Sequence, residues 1–203
     1  NTGSLLGEVQ RVLDQYPVDE IVVTAPGEYR LLAEIEGWAQ ILDCPVTVLQ
    51  DDRFLASTQM FSEWAKGRKQ LRMEYFYREM RKRYAILMEP DGPTGGQWNF
   101  DAENRKPPAQ GLKIPPTFAR DPDPITTEVM DLVERCFTDH FGDLEPFGYA
   151  VTRQDALVAL DLFIDTRLAR FGDYQDAMIQ GQPWMYHSHI GLYLNCGLLA
   201  PLE

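Results

Sequence analysis

The chain has 203 residues, of which 44% are hydrophobic and 25% are charged, a composition ordinary for a globular protein with one core or two small ones. No apolar run approaches the roughly 18 residues of a membrane span, and no charged segment leading into an apolar stretch opens the chain, so we expect a cytoplasmic protein with no membrane partner. The formal net charge of −12 argues, taken alone, against nucleic-acid binding.

The first part of the sequence alternates helical and strand patterns. Apolar residues at helical spacing predict an amphipathic helix over 5–16, and β-branched runs predict strands over 20–24 and 46–49. A second helix, predicted over 28–42, separates the two strands and therefore requires parallel pairing with a crossover helix. We expect an α/β fold with a partial Rossmann-like parallel sheet, followed by a helical region.

The rest of the sequence predicts four helices and one long irregular stretch. The helices are expected over 68–84, 126–141, 153–171 and 188–196, with Gly172 and Gly197 ending the last two. The irregular stretch, about 89–123, is rich in proline and too long for an ordinary connector.

One segment is basic although the whole chain is acidic. Residues 66–83 contain eight basic residues against two acidic ones, interleaved with aromatic residues. Two interpretations remain open. The segment is either an amphipathic helix with a solvated cationic face and an aromatic core face, or a functional basic-aromatic patch.

Residues 98–107, WNFDAENRKP, follow the glycine pair Gly95 and Gly96 and combine aromatic, amide, acidic and basic groups. This segment is either functional or a solvated linker that Trp98 and Phe100 pin to the core. The carboxylates of Asp101 and Glu103 are wrong for direct phosphate contact. They suit a hydrated magnesium ion that bridges an acidic protein to phosphate, and we assign Asp101 to such a site.

Two later segments carry further polar groups. In RFGDYQDAM, residues 170–178, Gly172 is expected to break a helix and place Asp173 and Asp176 in a turn, where ordinary capping would also explain them. In YHSH, residues 186–189, hydroxyl and imidazole groups precede a predicted helix, as a phosphate or pyrophosphate site requires. Ser188 as a simple N-cap explains the same residue types.

Motif templates for catalysis add little. The sequence has no Walker loop, no GxSxG elbow and no HExxH helix. The three cysteines, Cys44, Cys136 and Cys196, lack close CxxC spacing and indicate neither a disulfide framework nor a zinc site. We interpret them as small buried apolar residues.

Four segments together resemble a known family: WAKGRKQLRMEYFYREMRKR at 64–83, WNFDAENRKP, RFGDYQDAM, and YHSHIGLYLNCGLLAP at 186–201. The chain resembles the photolyase-related proteins of bacteria, the iron-sulfur cryptochromes and (6-4) photolyases. The resemblance covers essentially the whole chain and implies an internal fragment of a longer two-domain protein. Residues 1–57 would be part of an N-terminal α/β antenna-type domain, 58–125 a basic helix with an interdomain loop, and 126–203 the helical start of the flavin-binding domain.

The resemblance implies a flavin-dependent, light-driven DNA photolyase that repairs pyrimidine photoproducts of the (6-4) type. The implied cofactors are FAD at an incomplete site, a ribolumazine as the antenna pigment, and a 4Fe-4S cluster held only by residues downstream of this sequence. Damaged DNA and the remaining parts of the same protein are the implied partners, and the fragment alone is expected to be inactive. A cryptochrome-type photoreceptor without repair activity, or an unrelated nucleotide-binding or interaction domain, are the alternatives.

The resemblance also implies roles for individual residues. The flavin wall would be formed by His187, Ser188, His189, Ile190 and Asn195. Asp176 would be the catalytic carboxylate that hydrogen-bonds the lesion, with Tyr174 as its aromatic neighbour. The DNA contacts would come from Trp98, Asn104, Arg105, Lys106, Arg68 and Lys69. For the basic segment 66–83 the resemblance implies phosphate-backbone contact or charge pairing with neighbouring elements of the complete protein.

Overall fold

A computed structural model describes residues 2–104 and 106–203, so Arg105 of the predicted DNA contacts lies outside the described residues. The chain divides into two compact units, Asn1–Met80 and Arg81–Glu203. Each unit has its own hydrophobic core.

The first unit begins as a helix-strand-helix-strand arrangement. Its elements are α1 (Leu5–Leu13), β1 (Ile21–Thr24), α2 (Tyr29–Gly37) and β2 (Val46–Leu49), with a short 3₁₀ turn (Trp38–Gln40) after α2. Ser4 begins α1, because its side-chain oxygen accepts a hydrogen bond from the Gly7 N–H at 3.0 Å.

The strands β1 and β2 are parallel, with Ile21 opposite Val46 and Thr24 opposite Leu49. This confirms the predicted crossover helix, although the α-helix ends at Gly37 and only the 3₁₀ turn continues toward residue 42. Among the described residues the parallel sheet has these two strands alone. The fold is therefore mixed α/β, and a Rossmann fold is not confirmed.

A compact core supports this sheet. Ile35, Trp38, Leu42 and Cys44 are buried, and apolar side chains of α1, β1 and β2 pack against them. Cys44 is thus buried as predicted, but Cys136 and Cys196 are exposed, so the expectation of three buried cysteines is wrong for two of them. Cys136 is the last residue of the helix Pro124–Cys136, which buries none of its residues, and Cys196 directly follows the helix Gly191–Asn195.

The helix α3 (Thr58–Ala65) and the first part of α4 (Met73–Tyr84) complete the first unit, which ends at Met80 within α4. The two helices meet through an aromatic cluster, in which the Phe76 ring lies 5.3 Å from Phe61 and 5.2 Å from Trp64. The predicted start of the basic helix at residue 68 is therefore wrong, because the helix begins at Met73. Gly67, at φ +76°, begins the chain reversal that returns Phe76 to α3, and Arg68 and Lys69 lie in this connection.

The second unit contains a short antiparallel hairpin and a series of helices. Its elements are β3 (Met88–Glu89), β4 (Gly92–Pro93), α5 (Pro124–Cys136), α6 (Arg153–Phe163), a π-helical turn (Ile164–Leu168), α7 (Ala169–Tyr174) and α8 (Gly191–Asn195). Asp123 begins α5 by accepting a hydrogen bond from the Thr126 N–H at 2.7 Å. The helix predicted to reach residue 141 ends at Cys136.

Two predicted helix boundaries in this unit are wrong, one C-terminal end and one start. Gly172 does not break a helix, because α7 continues through it to Tyr174. The final helix begins at Gly191 rather than Ser188, because His189 has a left-handed backbone with φ +58° that a helix cannot include.

The core of the second unit lies between α6 and α8. Ala150, Ala156, Ala159, Tyr193 and Leu199 are buried together. The Tyr193 hydroxyl oxygen accepts a hydrogen bond from the Ala150 N–H at 3.0 Å and so ties the segment before α6 to α8. No helix in the described part of the chain is both long and apolar enough to cross a membrane.

Candidate functional site

The loop at 98–106 starts on the end of α4. The Trp98 ring lies 5.5 Å from the Arg81 guanidinium and 5.6 Å from the Lys82 ammonium, at cation–π distance. Arg81 is only 7% exposed and donates hydrogen bonds to the carbonyl oxygens of Ile86, at 3.1 Å, and Leu87. Trp98 is therefore held by a fixed cationic group at the start of the loop.

A tight turn follows and presents Asp101 to solvent. Gly95 has φ +82°, and a Cβ there would lie 2.9 Å from the Phe100 ring, so this close approach requires glycine. The Phe100 carbonyl accepts a hydrogen bond from the Glu103 N–H at 2.8 Å, which places exposed Asp101 within the turn. The described residues contain no group of three or more His, Cys, Asp or Glu side chains able to hold a metal.

The end of the loop docks on α7. The backbone N–H of Lys106 donates to the Asp173 carbonyl at 2.8 Å, and its ammonium lies 2.9 Å from the Asp173 carboxylate, which raises the pKa of Lys106. A Cβ at Gly172 would lie 2.7 Å from Asn104 Oδ1. The predicted DNA loop and the predicted lesion segment are thus in direct contact, and Gly172 makes room for Asn104.

The end of α7 leads to the YHSH segment. The Tyr174 ring lies 5.4 Å from the ring of Tyr186, which is buried and donates its hydroxyl proton to the Lys113 carbonyl at 2.7 Å. Asp176, the predicted lesion-side carboxylate, is exposed just beyond α7. The aromatic pair therefore connects the lesion-side residues to the residues predicted to hold flavin.

Trp184, His187 and His189 form a ring cluster, with His189 4.5 Å from His187 and 4.9 Å from Trp184. The Nε2 atom of His189 is buried and has no hydrogen-bond partner among the described residues. Burial, followed by the charges of His187 and Arg167, lowers the pKa of His189 to about 4. His189 is therefore neutral near pH 7 and has an unused ring nitrogen.

A cavity of about 290 Å³ opens beside this cluster. Its walls are mainly aromatic and apolar, and its polar lining includes Ser188, His189 and Arg167; the aromatic lining residues are Phe118, Tyr149, Phe163, Trp184 and Tyr193. Ile190 also lines it. Asn195 does not, since its amide nitrogen donates to the Gly191 carbonyl at 2.9 Å on the exposed side of α8.

The N-cap interpretation of Ser188 is wrong, because Ile190 is the residue before α8 and makes no side-chain cap. Ser188 instead lines the cavity. Sequence reasoning also missed Arg167, which is 2% exposed in the π-helical turn. The only signal was its position four residues after Phe163, on the apolar face of the predicted helix.

In the first unit, Arg68 and Lys69 lie at the exposed connection before α4. The Arg68 guanidinium lies 4.7 Å from the Trp64 ring, and its Nε donates to the Trp64 carbonyl at 2.6 Å. The Arg68 side chain is thus fixed on α3, while Lys69 extends from the same exposed connection.

Residues 1–149 match the family of the deoxyribodipyrimidine photo-lyase-related proteins. The chain therefore belongs to this photolyase-related family, as its motifs predicted. Among individual proteins, it is similar to the (6-4) photolyase of Agrobacterium fabrum (strain C58 / ATCC 33970), with 52% identity over 205 aligned residues. That alignment covers all of this chain and 40% of the relative.

Proposed function

We propose that the complete protein containing this chain is a flavin-dependent, light-driven photolyase that repairs (6-4) pyrimidine photoproducts in DNA. Family membership and 52% identity across the whole chain to a protein named (6-4) photolyase support the proposal. The observation that carries it is the continuous path in the second unit from the Trp98 loop, through Asp173 and Tyr174, to the cavity at His189.

In this proposal FAD meets the wall formed by His187, Ser188, His189 and Ile190, while Asn195, which does not line the cavity, would contact it only outside this cavity. The lining fits part of a flavin nucleotide, because aromatic walls suit a flat ring system. The unpartnered His189 Nε2 gives the site an unused polar atom. When bound, FAD supplies the light-driven electron transfer, while these residues orient it and exclude water.

The DNA side is assigned to the loop and α7. Trp98 stacks beside an unstacked site, and Asn104 and Lys106 contact the backbone of the damaged strand, together with Arg105, Arg68 and Lys69. Asp176 accepts a hydrogen bond from the lesion, and Tyr174 packs next to it. A hydrated magnesium ion at Asp101 bridges the acidic chain to phosphate.

The remaining parts of the proposal concern the complete protein. We assign 1–57 to an antenna-type domain that takes a ribolumazine, 58–125 to the region between the domains, and 126–203 to the start of the flavin domain. The 4Fe-4S cluster is assigned to sequence beyond these residues, and the protein to the cytoplasm.

The test uses the complete protein purified with its chromophores. Its absorption spectrum should show flavin, and blue light should restore an oligonucleotide that carries a single (6-4) lesion. Flavin without repair would identify a cryptochrome-type photoreceptor instead. The absence of flavin from freshly purified protein would contradict the proposal entirely and favour an unrelated nucleotide-binding or interaction domain.

A further inference from the structure

We propose that Arg167 is a positioning residue that clamps the segment 184–190 onto the extended segment 113–116 and thereby shapes the wall at His187–His189. The inference rests on the proposed flavin site for its functional meaning. Its structural basis is independent of that site.

The hydrogen bonds of Arg167 show what it joins. Its Nε donates to the Met185 carbonyl at 3.1 Å, and its Nη2 donates to the carbonyls of Pro115, at 3.0 Å, and Pro116, at 2.8 Å. Its Nη1 donates to the Thr166 hydroxyl at 3.2 Å. None of these four acceptors is a carboxylate, so the buried charge is directed at the backbone of two separate segments.

The segment 184–190 depends on such side-chain ties. Among the described residues, no backbone N–H or carbonyl group of residues 184–189 makes a hydrogen bond to another backbone group. The segment is held instead by the Arg167 bond to Met185, by the Tyr186 hydroxyl on Lys113, and by a long bond of 3.5 Å from the Met185 N–H to His187 Nε2. His189 must also keep its left-handed backbone, with φ +58°.

The segment 113–116 needs the same ties. Pro115 and Pro116 have no N–H group and cannot enter a strand ladder through one. Their carbonyls both accept from the Arg167 Nη2. A guanidinium suits this task, because its planar fork of five N–H donors can reach two segments at once, whereas a lysine ammonium is a single point.

The Arg167→Lys variant of the complete protein keeps the positive charge but removes the forked set of N–H donors of the guanidinium group. We expect hydrogen exchange of the Met185 amide, which is buried and donates to His187 Nε2, to accelerate about tenfold, as the loss of one charge-assisted hydrogen bond predicts, with α6 and the first unit unchanged. Arg170→Lys is the matched control, since Arg170 is exposed on the same helical stretch. Exchange in Arg167→Lys equal to the wild type would overturn the clamp.

The flavin-to-protein ratio of the same variants separates this inference from the proposed function. If Arg167→Lys shows faster hydrogen exchange and a reduced flavin-to-protein ratio, both the clamp and the proposed flavin site are supported. Faster exchange at an unchanged ratio supports the clamp and contradicts the flavin wall at 187–190. Unchanged exchange in Arg167→Lys, with flavin lost only in Arg167→Met, would make Arg167 a counter-charge for the ligand and overturn the clamp.

A measurement on the wild type covers the case in which the variants fail to fold. The Arg167 Nε–H should give a slowly exchanging NMR signal with cross-peaks to residues 115 and 185. A signal that exchanges rapidly with water would contradict the clamp without any substitution.

Discussion

Lys106 and Asp173 are joined twice, once by the backbone N–H of Lys106 on the Asp173 carbonyl at 2.8 Å and once by an ion pair of 2.9 Å between their side chains. The backbone bond fixes the end of the loop on α7. The ion pair is partly exposed, with 56% of the Lys106 side chain accessible, so its ammonium can exchange the carboxylate for a phosphate at little cost.

Asp173→Asn should therefore increase affinity for DNA. The substitution keeps the backbone bond but removes the carboxylate that competes for Lys106. We expect DNA binding by the complete protein, measured by fluorescence anisotropy, to tighten severalfold at low salt, because Lys106 no longer has to leave a carboxylate to reach a phosphate. Asp165→Asn, on an exposed position of the π-helical turn, is the control. Weaker binding by Asp173→Asn would show that the ion pair serves only to dock the loop.

Gly172→Ala should loosen the loop. The new methyl group would lie 2.7 Å from Asn104 Oδ1, the end of a side chain, so Asn104 must move away from α7. We expect the lost packing to cancel the gain in helix propensity, so that the free energy of unfolding, measured with urea, stays within about 0.5 kcal/mol of the wild type. Gly37→Ala is the matched control, because nothing lies within 4 Å of its Cβ position. That variant should gain about 0.5–1 kcal/mol, and equal effects at the two sites would contradict the close approach.

Asp101→Asn tests the magnesium site. If Asp101 holds a hydrated ion against phosphate, the amide should weaken lesion binding and repair mainly in the presence of magnesium, because it removes charge but keeps shape. Repair measured across a magnesium titration should separate the two proteins, with Asp91→Asn, an exposed residue of the β3–β4 hairpin, as the control. Equal repair by wild type and Asp101→Asn at every magnesium concentration would rule the site out.

His189 should make stability depend on pH. Its pKa is lowered to about 4 in the folded chain, against about 6.5 when unfolded, so between these values the unfolded chain binds more protons. The stabilisation is fully present above pH 6.5 and is lost as the pH falls toward 4. Urea midpoints over this range should fall less steeply in His189→Gln than in the wild type, whereas His140→Gln, at an exposed histidine, should follow the wild type.

The sequence predicts the βαβ arrangement well, because strands such as Ile21–Thr24 and Val46–Leu49 are short β-branched runs whose pattern is local. It fails where the reason for a residue is distant. Gly172 looks like a helix end, yet its role is to admit Asn104. The two cannot be related until the chain is folded.

The candidate site shows the same division. The sequence predicts functional segments at 98–107, 170–178 and 186–189, and described residues of all three lie in contact in the second unit. The sequence does not predict a role for Arg167, because no pattern of neighbouring residues marks an arginine that is buried and donates only to neutral oxygens. Its meaning depends on the carbonyls that surround it.

The π-helical turn Ile164–Leu168 has a consequence for how this region tolerates insertions and deletions. A π turn is an α-helix that contains one additional residue, and such turns often mark functional positions. Because the π turn absorbs its additional residue locally, deleting that residue would leave α7 in nearly the same orientation, whereas deleting a residue from α6 would rotate everything after it by about 100°. Asp173 would then turn away from Lys106, and Tyr174 away from Tyr186, without any change in their identity. The spacing between α6 and α7 is therefore as much a part of the site as the side chains themselves.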